Sequence, residues 1–116
     1  MMEQKYYVYI ICNRKEGCLY IGFTNDIRKR TIEHKNGTYD GYTKKYRIDK
    51  LVYFEEFFDK NMAIKREKKL KKWNRAWKIE LIEKQNPKWS DLFSTLQSKL
   101  TSVDILDSLF RGNKLK

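Results

Sequence analysis

The sequence predicts a single small domain of the mixed α/β (α+β) class, and three observations indicate this class. The chain has 116 residues, which is the size of one ordinary domain and too short for a two-domain enzyme. Apolar runs with the composition of β-strands alternate with polar segments that carry helix-capping residues. Hydrophobic residues make up 41% of the chain, which is enough for a packed core.

The first two strands are predicted to form a hairpin. Tyr6 to Cys12 and Cys18 to Phe23 are apolar runs with β-branched and aromatic residues, and the polar segment between them ends in glycine. Because side chains alternate across a strand, Tyr7 and Tyr9 are expected on one face of the sheet. Tyr20 is a candidate for the same face.

A first helix is predicted from about Asp26 to Asn36. Cap-forming side chains precede Ile27, and Gly37 provides a left-handed stop. Arg30 and His34 lie three and seven residues after Ile27, so all three side chains share one stripe of the helix. The simplest interpretation is an arginine at the edge of the stripe and a structural histidine.

A third strand and a second helix follow a polar loop at 41–43. The strand lies within Ile48 to Phe58, which is rich in aromatic and aliphatic residues. Asp59 or Asn61 is predicted to cap the helix. The predicted apolar stripe of this helix consists of Ala63, Leu70, Trp73 and Trp77.

The rest of the chain is predicted to be largely helical. Residues 78–84 continue as a helix until Asn86-Pro87, and 89–93 pack back on the core. We divide the chain into a domain at 1–90 and a predicted helical extension at 91–116. The extension is a candidate surface for a homo-oligomer or a protein partner.

Positive charge is concentrated in one segment. The chain has a net charge of +11, and residues 60–84 contribute +7 because they hold 10 basic and 3 acidic side chains. Such a surface is typical of nucleic-acid binding, although a lysine-rich run is more often the solvated face of a helix. The candidate contacts are Lys65, Arg66, Lys68, Lys69, Lys71, Lys72 and Arg75.

Several classes of protein are excluded by composition. Two cysteines and one histidine cannot supply a four-ligand zinc site. No apolar run approaches the roughly 18 residues that span a bilayer, and the first residues lack the apolar region of a signal peptide. We therefore expect a cytoplasmic protein that does not bind membranes.

Glu67 is the most unusual residue of the second helix. At about 100° per residue it lies within the stripe defined by Ala63 and Leu70, so its carboxylate points with the apolar side chains. A carboxylate that leaves water without a partner costs several kcal/mol. Glu67 should therefore meet either a basic side chain or a metal ion.

Five features occur together in the order and spacing of a known nuclease family. They are Tyr7-Val8-Tyr9, Tyr20-Ile21-Gly22, Arg30, His34 and Glu67. With these features the chain resembles the GIY-YIG nuclease domain, and in particular its small stand-alone bacterial type. The resemblance extends over about residues 5–90.

The resemblance implies a central three-stranded antiparallel sheet flanked by helices. It also implies an endonuclease that hydrolyses phosphodiester bonds in DNA with a single divalent metal, Mg²⁺ or Mn²⁺. The roles it implies are Tyr9 and Tyr20 as the motif tyrosines, Gly22 as the close-approach glycine, Arg30 as the phosphate clamp, Glu67 as the metal ligand and His34 as an auxiliary polar group. Tyr7 stands where the motif has glycine.

Two roles have more than one candidate. The general base is either Tyr20 or His34, since tyrosine becomes a base only when a nearby cation favours its phenolate. An asparagine that assists the metal is either Asn74 or Asn86.

The leading hypothesis is an endonuclease directed by DNA backbone or structure. The alternatives are a non-catalytic nucleic-acid-binding module with a degenerate nuclease fold, and a protein-interaction domain. The retained set of Tyr9, Tyr20, Arg30 and Glu67 favours the enzyme.

Overall fold

The computed structural model describes residues 4–38 and 41–96, and it confirms the predicted fold class. Within these ranges no helix is long and apolar enough to cross a membrane. The elements in chain order are β1 (Tyr6–Cys12), β2 (Leu19–Thr24), α1 (Ile27–Lys35), α2 (Tyr42–Lys45), β3 (Lys50–Phe57), α3 (Lys60–Lys72) and α4 (Arg75–Gln85).

The three strands form one antiparallel sheet in the order β2-β1-β3. The predicted hairpin is therefore correct, and β1 becomes the central strand because β3 pairs with its other side. Tyr9 lies opposite Gly22 on β2 and opposite Phe54 on β3. β2 is an edge strand of this sheet, so groups from both faces can reach its backbone.

The two faces of the sheet carry different helices. Val8 and Ile10 pack with Ala63 of α3 in one buried cluster, and we call this side the α3 face. Tyr9 and Ile11 alternate with them along β1 and pack in a second cluster with Ile27 of α1, on what we call the α1 face. A residue of α1 and a residue of α3 therefore start from opposite faces of the sheet.

Helices α1 and α3 begin where the capping residues predict, whereas α4 begins at Arg75, three residues before the predicted 78. The Asp26 carboxylate accepts a hydrogen bond from the amide of Lys29 at 3.0 Å at the start of α1. Asp59, rather than Asn61, caps α3, since its carboxylate accepts from the Asn61 amide at 3.2 Å. The side chain of Asn74 caps α4 in the same way.

The predicted loop at 41–43 is a short helix. Gly41 adopts a φ of 91° at its start, and Thr43 then turns inward and is buried. The sequence lacks an apolar periodicity here, because α2 is a single turn with one inward residue.

The apolar stripe predicted for α3 is wrong at its last member. Trp73 is the C-cap of α3, with an extended backbone at ψ 149°, and Asn74 starts a separate helix. Trp77 therefore belongs to α4, and it is 53% exposed. Its ring contacts Trp73 edge to face at a centroid distance of 5.7 Å.

A charged cluster joins α3 to β3 on the α3 face. The Arg66 guanidinium donates through Nε and Nη2 to the two Glu55 carboxylate oxygens, both at 2.9 Å. The Tyr53 hydroxyl donates to the same carboxylate. Burial and the bond with Glu55 raise the pKa of Tyr53, so its hydroxyl stays protonated.

The segment after α4 folds back on the sheet, as predicted. Trp89 is 1% exposed and packs in the core of the α3 face. The buried Asn86 amide donates to the carbonyls of Val52 and Ser90, and its oxygen accepts from the Ser90 amide. Of the predicted C-terminal extension, 97–116 lies outside the described residues.

We expect Asn86→Ala to lower the free energy of unfolding by about 2–4 kcal/mol, because it leaves the buried carbonyl of Val52 without this donor. Asn74→Ala is the matched control, since it removes only an exposed cap worth about 1 kcal/mol. Urea denaturation of both variants measures the difference. Equal losses in the two variants would contradict the structural role of Asn86.

Candidate active site

Three aromatic side chains meet on the α1 face. Tyr9 of β1, Tyr20 of β2 and His34 of α1 have ring centroids 5.8–6.5 Å apart. The strand alternation predicted that Tyr9 and Tyr7 share a face, and the structure places Tyr20 there too. Two strands and one helix therefore contribute to one cluster, which we call the aromatic triad.

Gly22 makes room for the triad. It lies directly opposite Tyr9 in the sheet, and a Cβ added to it would lie 2.3 Å from the Tyr9 phenol ring and hydroxyl. Such a distance is far below van der Waals contact, so any side chain at 22 would displace Tyr9. Glycine is required here by the close approach of a ring to the backbone.

Tyr9 and His34 form the buried part of the triad. The Tyr9 hydroxyl and His34 Nε2 are joined by a hydrogen bond of 3.1 Å. Tyr9 is 1% exposed and His34 is 8% exposed. Burial, with a smaller contribution from the Arg30 charge, lowers the pKa of His34 to about 4. His34 is therefore neutral at physiological pH.

Tyr20 is the partly exposed member of the triad. It follows Leu19 at the start of the edge strand β2, so one side of its ring borders solvent. Tyr20 is thus the most exposed residue of the triad.

Arg30 lies one helical turn before His34 and reaches the backbone of β2. Its guanidinium donates to the Phe23 carbonyl at 3.3 Å and pairs with Glu33 at 3.6 Å. The Arg30 side chain keeps 32% of its surface exposed. It borders a polar cavity of about 150 Å³ that Thr24, Asn25, Asp26, Lys29 and Glu33 also line.

Glu67 approaches from the other side of the sheet. It lies on α3, which crosses β1 and β2 on the α3 face. Its side chain is 17% exposed, and the Lys71 ammonium lies 3.0 Å from its carboxylate. The expectation that Glu67 meets a cation is met by this lysine, which is itself half exposed.

The predicted nucleic-acid contacts divide into two groups. Arg66 is held by Glu55, and Arg75 donates to the backbone carbonyls of Glu16 and Gly17. Arg75 is nevertheless exposed, as are the lysines of the set, namely Lys65, Lys68, Lys69, Lys71 and Lys72. Tyr7, which stands at the glycine position of the motif, packs edge to face on the Phe54 ring.

Both asparagine candidates for a metal make hydrogen bonds within the fold. The Asn74 side chain accepts from the Trp77 amide at 2.9 Å, and Asn86 uses its whole amide group on backbone atoms. Both side chains are committed to local structure. The sequence reasoning also missed Glu33, although its place three residues after Arg30 is a signal for an ion pair.

The donor set suits a metal that is shared with a substrate. Across the described ranges, no group of three or more His, Cys, Asp or Glu side chains could hold an ion. Mg²⁺, however, commonly binds through one or two carboxylates together with substrate phosphates and several waters. The single carboxylate of Glu67 fits this mode and does not fit a site built from protein ligands alone.

Comparisons with known proteins agree with the motifs. Residues 5–80 match the profile described as the GIY-YIG catalytic domain. The chain is 46% identical over 78 residues to a UPF0213 protein of Staphylococcus saprophyticus, covering 67% of this chain and 94% of that protein. A UPF0213 protein of Syntrophus aciditrophicus is 47% identical over 85 residues, covering 72% and 94%.

A solved structure is also similar. It is the solution NMR structure of a UPF0213 protein of Bacillus halodurans, with 29% identity and a TM-score of 0.48. The similarity covers 75% of this chain and 92% of that one.

We expect the single histidine, His34, to titrate near pH 4 in the folded protein instead of near 6.5. Since the unfolded chain binds the proton more tightly, stability from the neutral ring is present above about pH 6.5 and falls as the pH drops towards 4, by up to ~3 kcal/mol. An NMR titration of the imidazole measures this midpoint. Urea denaturation of the parent and of His34→Gln at each pH separates the contribution of His34 to stability from that of the carboxylates. A titration midpoint at pH 6.5 would contradict the prediction.

Proposed function

The chain belongs to the GIY-YIG family, and on this premise we propose that it is a metal-dependent endonuclease that hydrolyses phosphodiester bonds in DNA. The observation that carries the proposal is the aromatic triad, packed on Gly22 with Arg30 beside it. A structural core needs neither a glycine under a tyrosine ring nor an arginine against an edge strand. A phosphate site needs an exposed hydroxyl and a cation of this kind.

Tyr20 is the triad residue that we assign to the attacking water. Hydrolysis requires a group that orients this water and accepts its proton, and a tyrosine accepts the proton only as its phenolate. His34 is buried and, with a pKa of about 4, is a weak base, so we assign it a positioning role. Its bond with Tyr9 holds the imidazole in place, and the imidazole contacts the Tyr20 ring at 5.8 Å between centroids.

Arg30 is the residue that we assign to the phosphate. Its planar guanidinium can donate two parallel hydrogen bonds to phosphate oxygens. Its contacts with Phe23 and Glu33 are 3.3 and 3.6 Å long, well above the 2.7–2.9 Å of a strong charge-assisted bond. In the transition state the phosphate carries two negative charges, and it would offer Arg30 shorter, charge-assisted bonds than these two contacts.

Glu67 is the residue that we assign to the divalent metal. When bound, such an ion neutralises charge on the phosphate and on the leaving oxygen. Arg30 and Glu67 start from opposite faces, so the outer edge of β2 is where both can face one phosphate. Lys71 is the partner that would move aside for the ion, because its side chain is 50% exposed whereas that of Glu67 is 17% exposed.

DNA affinity comes mainly from the exposed lysines of α3. Lys65, Lys68, Lys69 and Lys72 face solvent on the helix that carries Glu67. Their contacts would be to phosphates, which give affinity without sequence preference. We therefore propose recognition of DNA backbone or structure.

One observation favours a second candidate, a non-catalytic nucleic-acid-binding module. The Lys71 ammonium already neutralises the Glu67 carboxylate at 3.0 Å. A chain that has lost turnover would keep this ion pair and its lysine surface. Cleavage, rather than binding, decides between the two candidates.

We expect Glu67→Ala and Arg30→Ala each to slow nicking of supercoiled plasmid in Mg²⁺ or Mn²⁺ by about 10²–10³ in single turnover, with DNA affinity nearly unchanged. The reason is that both groups act on charge that develops at phosphorus. Glu80→Ala, a carboxylate of α4, is the control and should cleave normally. Cleavage by Glu67→Ala at the parental rate, in a preparation shown to be free of contaminating nuclease, would overturn the catalytic assignment. Retardation without any nicking by the parent would favour the binding module.

Binding should also be strongly salt-dependent. The logarithm of affinity is expected to fall linearly with the logarithm of salt concentration, with a slope of about −0.9 for each duplex phosphate neutralised. Replacing Lys68 and Lys69 by Ala should flatten this slope and leave the cleavage rate at saturating protein nearly unchanged. An unaltered slope would show that these lysines are only a solvated helix face.

A further inference from the structure

The short helix α2 presents two exposed tyrosine rings. Tyr42 is 48% exposed and Tyr46 is 43% exposed, and they contact each other at a centroid distance of 5.3 Å. The Lys45 ammonium lies 5.4 Å from the centre of the Tyr46 ring. We call Tyr42 and Tyr46 the tyrosine pair.

The helix beneath the tyrosine pair is well anchored. Thr43 is 8% exposed, and Ile48 is fully buried in the cluster of the α1 face that also contacts Tyr20. The Ile48 amide donates to the Thr43 carbonyl at 2.8 Å. The two rings are therefore exposed on a fixed support, and their exposure is a property of the fold.

The surroundings of the tyrosine pair are positive. Residues 41–47 contain three basic side chains and no acidic one. Arg75 is close enough for its charge to act on the Tyr42 hydroxyl. Exposed aromatic rings among cations are suited to a ligand with flat π-faces and negative charge, and an unpaired stretch of nucleic acid has both. A lipid surface would instead require aliphatic side chains, which 41–47 lack.

The tyrosine pair adjoins the candidate active site. Ile48, whose amide is bonded to the Thr43 carbonyl, packs in the same buried cluster as Cys18 and Tyr20. Burial, followed by the nearby Cys18 thiol, raises the pKa of Tyr42. Cys18 precedes Tyr20 by two residues and packs on the same α1 face.

We propose that Tyr42 and Tyr46 form a stacking site for one or two unpaired bases of the strand whose phosphate lies at Tyr20. This inference rests on the proposed function and adds the substrate feature that directs it. In a duplex the faces of the bases are covered by their neighbours, so the rings select single-stranded or frayed DNA. Stacking is tolerant of sequence, because every base has a π-face.

The test is binding of labelled oligonucleotides to the full chain in EDTA, measured by fluorescence anisotropy. We expect the double variant Tyr42→Ala/Tyr46→Ala to bind a single-stranded oligonucleotide about 5- to 100-fold more weakly for each base unstacked. Binding to a blunt duplex of the same sequence should change less than twofold. Tyr42→Phe/Tyr46→Phe keeps both rings and should bind single strands like the parent.

Phe58→Ala is the matched control for removal of an exposed ring beside a lysine. Phe58 is 63% exposed, with the Lys5 ammonium 5.9 Å from its centroid. It follows the end of β3 that pairs with Tyr6, whereas Cys18 adjoins the opposite end of β1, about 20 Å away. This variant should bind both oligonucleotides normally.

A leucine double variant separates stacking from loss of apolar volume. Tyr42→Leu/Tyr46→Leu retains apolar volume without the π-face, so it should bind single strands as weakly as the alanine variant if stacking is the cause. Equal weakening for duplex and single strand, or normal binding by the alanine variant, would overturn the stacking site. Because EDTA prevents metal-dependent cleavage, these outcomes are independent of whether the parent nicks DNA.

Discussion

The close contact between the Tyr9 ring and the backbone of Gly22 is the constraint on which the candidate site depends. A side chain at 22 would occupy the space of the Tyr9 hydroxyl, and that hydroxyl holds His34. The imidazole in turn packs on Tyr20. One missing Cβ on an edge strand thus allows a buried hydrogen bond, a neutral histidine and an outward-facing phenol to be assembled from three separate elements.

The sheet order determines which polar groups lie near the aromatic triad. β1 is central and β2 is at the edge, so the triad lies on one face close to solvent, with Arg30 against the edge strand. Glu67 is carried by the helix on the opposite face. A site built at the rim of a thin sheet can draw polar groups from both faces, which a site in the middle of either face cannot do.

The sequence was sufficient for most of the fold, because local signals were strong. The hairpin, the caps at Asp26 and Asp59 and the tyrosine alternation are short-range properties, and the structure agrees with them. The turn of helix at α2 and the break at Trp73 depend on which residues find a core, and a single sequence carries little signal for that. The partners of the charged groups could not be predicted from the sequence either, because Glu55 and Arg66 are brought together only by tertiary packing.

The salt bridge of Arg66 with Glu55 has a geometric consequence for its neighbour in the chain. Two parallel hydrogen bonds fix α3 against rotation about its own axis. The carboxylate of Glu67 lies roughly 5–6 Å from that axis, so a rotation of about 20° would move it by about 2 Å. Productive phosphoryl chemistry tolerates misplacements of about 1 Å at most. The Arg66 side chain, through its bonds with Glu55, thus sets the angular position of the carboxylate that would hold the ion.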